Sequence, residues 1–61
     1  KRTEFIRKLK ADGCELARSG AKHDLYRNQT TGHTTTVPRH TELSNTLCKE
    51  IRKQLGLKPL P

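Results

Sequence analysis

The chain is poor in aromatic and acidic residues and has no long apolar run. Its 61 residues contain no tryptophan or methionine, and only Phe5 and Tyr26 are aromatic. Two aromatic rings are too few for an extended base-stacking platform. No apolar run exceeds two residues, so neither a membrane span nor a signal-peptide core is expected, and a soluble cytoplasmic protein is. The two cysteines, Cys14 and Cys48, lack metal-ligand spacing with His23, His33 or His40, and a structural zinc site needs four clustered ligands. They read as small, semi-buried hydrophobes; a disulfide is geometrically open but disfavoured in a reducing compartment. No Ser/His/Asp triad, phosphate-binding glycine loop or paired carboxylates can be picked out. The chain is too short for a nucleotide-cofactor domain, so no metal and no small-molecule cofactor are expected.

Positive charge is what the chain has in excess. Thirteen Lys and Arg stand against six Asp and Glu, giving a formal charge of +7. The cations are spread from Lys1 to Lys58 without a run of five, which excludes a disordered basic tail. A folded cationic surface suits a polyanion, most often nucleic-acid phosphate, and an acidic protein partner is compatible with the same surface. One small domain is all this length supports, and it should bury only roughly 60% of its unfolded surface.

Hydrophobic spacing organises the chain into five elements. Phe5, Ile6 and Leu9 share a helical face over about 3–12, with Thr3 as the expected cap and Gly13 as the stop. Cys14, Leu16 and Arg18 alternate with Glu15, Ala17 and Ser19 as in a strand over 14–19. Ser19-Gly20-Ala21 breaks that pattern. A second strand follows over 22–27, with His23, Leu25 and Arg27 on one side and Lys22, Asp24 and Tyr26 on the other. Turn formers fill 28–32, and Thr34-Thr35-Thr36-Val37 suits a third strand over 33–37, ended by Pro38. Ser44 or Asn45 should cap a last helix over 45–55, with Leu47, Cys48, Ile51 and Leu55 as its apolar face and Gly56 as its stop. Residues 57–61 read as a tail. The order α-β-β-β-α predicts an α+β domain with a three-stranded antiparallel sheet and both helices on one face. That topology resembles the double-stranded-RNA-binding domain.

Acid–base or electrostatic chemistry is what so small a chain can offer without cofactors. His23 is the leading candidate, on a strand just after a glycine turn, because histidine is the side chain most often used as a general acid or base. A lone strand histidine is more often a plain surface residue, and His33 and His40 are weaker candidates still.

Gly20-Ala21-Lys22-His23-Asp24-Leu25-Tyr26-Arg27, followed by Thr35-Thr36-Val37-Pro38-Arg39-His40, resembles the HicA toxins of bacterial HicA–HicB toxin–antitoxin modules. Glu4-Phe5-Ile6-Arg7-Lys8-Leu9-Lys10 with Gly13, and Asn45-Thr46-Leu47-Cys48 leading to Ile51 and Gln54-Leu55-Gly56, complete the likeness over about 3–57. The resemblance implies a small domain that cleaves mRNA until a HicB-type antitoxin occludes it. It also implies a catalytic histidine before an aliphatic–aromatic pair; aligning that pair on Leu25-Tyr26 places the histidine at His23. Lys22 stands where the family usually has serine, Ala21 where it has glycine, and Asp24 where a second histidine is common.

The expected chemistry is metal-independent transesterification, with His23 as base on a ribose 2′-hydroxyl or acid on the leaving 5′-oxygen. Lys22 and His40 are the residues expected to assist, and Arg27, Arg39 and Lys22 to contact RNA phosphate. A rival from another class is a non-catalytic RNA-binding module of the same fold. A DNA-binding accessory is weaker, since no helix-turn-helix spacing is present.

Overall fold

A computed structural model describes residues 1–58. Five elements follow in order: α1 (Arg2–Ala11), β1 (Cys14–Ser19), β2 (His23–Asn28), β3 (Thr34–Pro38) and α2 (Asn45–Gln54). The strands form one antiparallel sheet in the order β1-β2-β3. The α-β-β-β-α order predicted from the hydrophobic spacing is therefore the order found.

The core lies between the sheet and both helices. Phe5 and Leu9 from α1 and Ile51 and Leu55 from α2 meet Cys14, Tyr26 and Val37 from the three strands. Ile6, Leu43, Leu47, Cys48 and Leu57 pack around them. Tyr26 and Val37 share one sheet face, because Tyr26 pairs with Thr35 and Asp24 with Val37, and directly opposed residues point the same way. Both helices cover that face, and the other carries no helix among the described residues.

Local boundaries depart from expectation for identifiable reasons. Thr3 is not the cap of α1: the helix begins at Arg2, Lys1 is the capping position, and no side chain bonds there. Instead the Arg2 N–H donates to the Thr41 carbonyl at 3.0 Å, so a distant loop satisfies a first-turn donor. Ser44 does cap α2, its side chain accepting from Leu47 N–H at 3.1 Å. Pro38 ends β3 from inside, because β3 is an edge strand where a missing N–H breaks no ladder bond. Lys22 lies in the turn before β2. Leu57, expected in the tail, is half-buried on the core, and its N–H donates to the Arg52 carbonyl at 2.9 Å. The remainder of that tail expectation, residues 59–61, lies outside the described residues.

The simple alternation expected for β1 fails at Ala17. Leu16 pairs with Tyr26 but Arg18 pairs with Leu25, so the register shifts by one between them. This bulge moves Arg18 to the uncovered face. Leu16 stays on the helix side at the sheet edge, 46% exposed.

Candidate active site on the uncovered sheet face

Strand alternation sends Asp24, Tyr26 and Asn28 into the core side and leaves His23, Leu25 and Arg27 on the uncovered side. His23 and Arg27 are exposed and Leu25 is half-buried. Across the strands, Arg18 lies opposite Leu25 on one side and Thr36 on the other; Glu15 and Thr34 flank Arg27. The face therefore presents one histidine and two arginines on a frame of threonines and one glutamate. At about 3.3 Å per strand residue, the Cα atoms of His23 and Arg27 stand roughly 13 Å apart. Arg18 was not among the expected site residues; only the bulge places it here, and alternation counted along the sequence assigns it to the other face.

The turn before His23 is tight. Gly20 N–H donates to the His23 carbonyl at 2.9 Å. A Cβ on Gly20 would sit 2.5 Å from that oxygen, so the turn needs glycine for space rather than for an unusual φ. Lys22 is exposed in this turn, and His40 is exposed two residues beyond Pro38, which is the cross-strand partner of His23. His33 lies at the opposite end, where its Nδ1 would be 2.9 Å from a Cβ on Gly56.

Arg39, expected to contact phosphate, is exposed and is also bonded within the protein. Its Nε and Nη2 donate to Asp24 Oδ1 at 2.9 and 2.7 Å, and Nη2 also donates to the Gly20 carbonyl. Arg2 completes the cluster, donating from Nη2 to Asp24 Oδ2 at 3.0 Å and from Nε to the Pro38 carbonyl at 2.8 Å. The Arg39 hydrogen bonds hold the Asp24 carboxyl below its ordinary pKa against the opposing effect of burial, with further help from Arg2. The nearby Tyr26 hydroxyl is pushed up by burial. Burial likewise raises the Cys14 and Cys48 thiols, leaving them as neutral packing groups.

The far end is fastened by an amide. The side chain of the buried Asn28 donates to the Leu55 carbonyl at 2.7 Å and accepts from Thr30 N–H at 2.9 Å, joining the β2–β3 turn to the end of α2. Arg52 is also buried there, 2.9 Å from Asp12 and bonded to the Lys58 carbonyl. Among the described residues, one shallow concavity runs along α1 beside Ile6 and Arg7 and another lies between Asp12, Asn28 and Arg52. His23 itself stands on an open face.

No curated protein and no solved structure matches the chain. The family model described as the HicA toxin of bacterial toxin–antitoxin systems matches residues 2–57, spanning all five elements and the turn that carries His23. The chain belongs to the HicA toxin family of toxin–antitoxin systems.

Proposed function

We propose that this protein is a metal-independent endoribonuclease that cleaves mRNA in the cytoplasm through His23 and is held inactive by a HicB-type antitoxin. The observation that carries the reading is the exposure of His23 on a cationic sheet face that no helix of the described residues covers, in a chain of the HicA toxin family. An open face admits an extended polyanion, whereas a cleft in so small a domain would not.

In the reaction, His23 takes the proton of a ribose 2′-hydroxyl as that oxygen attacks the adjacent phosphorus. The P–O5′ bond breaks, leaving a 2′,3′-cyclic phosphate on one fragment. The 5′-oxygen leaves with a proton from the imidazolium or from water, giving a 5′-hydroxyl on the other. Lys22, in the same turn, is the nearest lysine in sequence to steady charge developing on the phosphate, and His40 is the second candidate to move a proton. Arg27 and Arg18 share the face of His23 and are suited to flanking phosphates. Arg39, also expected on phosphate, is bonded to Asp24 and the Gly20 carbonyl while its side chain stays 44% exposed.

The absence of a side-chain hydrogen bond to His23 among the described residues also suits a non-catalytic RNA-binding module. One experiment separates the two readings. Wild type and His23→Ala are incubated with mRNA in EDTA, and the product ends are analysed. Cyclic-phosphate ends from wild type and none from a folded His23→Ala support the nuclease. Binding without cleavage supports the module, and cleavage only with added divalent metal rejects the mechanism. Protection of the RNA by an acidic HicB-type protein tests the antitoxin.

A further inference from the structure

The buried carboxylate behind His23 is anchored in a way that fastening α1 to the sheet does not require. Asp24 points to the helix side while His23, its neighbour, points to the uncovered side. One oxygen of Asp24 takes Arg2 from α1, which would suffice to tie helix to strand. The other takes Arg39, whose Nη2 continues to the carbonyl of Gly20. Gly20 in turn donates its N–H to the His23 carbonyl. On the opposite side, Arg2 Nε holds the carbonyl of Pro38, the residue paired with His23 across the sheet. Both backbone segments that flank His23 are thus held by arginines, and both arginines rest on one carboxylate. The imidazole is exposed and makes no side-chain hydrogen bond among the described residues, so the backbone sets where its Cβ stands and the arc the ring can reach.

We infer that Asp24 and Arg39 are positioning residues that lock the Gly20–His23 turn and so fix where the His23 imidazole is mounted on the uncovered face. The inference rests on His23 being the reacting group. It gives Arg39 an internal role in place of phosphate contact and gives Asp24 a function of its own.

The test compares Arg39→Ala, Arg39→Lys and Asp24→Asn with Asp12→Asn, which breaks the Arg52 pair at the far end. Two quantities are measured: Gly20 amide exchange relative to that of Asn28, which bonds to the His33 carbonyl at the other turn, and kcat and KM for RNA cleavage. Arg39→Ala and Asp24→Asn should speed Gly20 exchange at least about tenfold while sparing Asn28. They should also lower kcat on the order of 10- to 100-fold with KM nearly unchanged, as misplacement of a reacting group does. Arg39→Lys should recover part of both effects, and Asp12→Asn should show neither. Unchanged Gly20 protection in Arg39→Ala overturns the lock whatever the activity. A raised KM with unchanged kcat makes Arg39 a phosphate contact and overturns the positioning role. Wild-type cleavage by His23→Ala overturns the catalytic reading separately, since Gly20 exchange reports the lock without reference to activity.

Discussion

Replacing Gly20 with alanine should impair catalysis far more than it impairs folding. The added Cβ would stand 2.5 Å from the His23 carbonyl oxygen, and ordinary contact begins near 3.4 Å, so the two must separate by the difference, 0.9 Å. The atom that must yield is backbone, and it is the acceptor of the Gly20 N–H bond. Losing that bond costs about 0.5–1.5 kcal/mol. In a domain of this size that lowers Tm by roughly 4–8 °C per kcal/mol. A displacement near 1 Å at the residue bearing the imidazole is worth about a 100-fold loss of rate. Gly13→Ala supplies the contrast: Gly13 has φ +87° and its Cβ would meet only Thr30 Oγ1, at 3.9 Å. That substitution carries left-handed strain of roughly 1–2 kcal/mol and leaves His23 where it is. Both variants are followed by thermal melts and by single-turnover cleavage of a defined RNA below either melting temperature. The expected result is a similar loss of Tm in both and a loss of rate in Gly20→Ala alone. Wild-type cleavage by Gly20→Ala, or equal loss in both variants, would refute the steric account of the turn.

Other substitutions test the remaining supports. Ser44→Ala removes the acceptor for Leu47 N–H and should cost about 1 kcal/mol, read from urea melts. Asn28→Ala removes the buried donor to the Leu55 carbonyl and the acceptor for Thr30 N–H, and should cost about 1–3 kcal/mol, a large share of the roughly 3–9 kcal/mol such a domain possesses. Because the folded protein holds Asp24 below its ordinary value of 3.8, its contribution to stability is complete above that pH and disappears as pH falls below it. Thermal melts in acid should therefore show a steep loss below about pH 4 that is blunted in Asp24→Asn. Arg27→Ala should weaken RNA binding and reduce the slope of log K against log salt by about 1, measured by titration at several salt concentrations.

The internal ion pairs change how the excess charge is distributed. Arg2, Arg39 and Arg52 are partnered with Asp24 or Asp12, so they stiffen the molecule more than they advertise it. The uncovered face draws its cations from Arg18 and Arg27, with Lys22 at its margin. That is a small subset of the thirteen basic residues, and it is the subset aligned with His23. The surface ion pair of Glu4 and Arg7, at 3.7 Å, adds little to stability.

Residue order by itself determined the five elements, because period-3.6 and period-2 spacing and the glycines at 13, 20 and 56 are local signals. Alternation also separated His23 and Arg27 from Asp24 and Tyr26, which needs nothing beyond the geometry of one strand. Everything that depends on a partner far away in the chain was decided by tertiary structure. The start of α1 depends on Thr41, the bonding of Arg39 on Asp24 and Gly20, and the burial of Arg52 on Asp12. The face of Arg18 depends on a bulge that exists only because β2 fixes the register opposite it. A cation written in sequence has the same charge whether it meets solvent, phosphate or a buried carboxylate; only the folded backbone selects which of these it reaches.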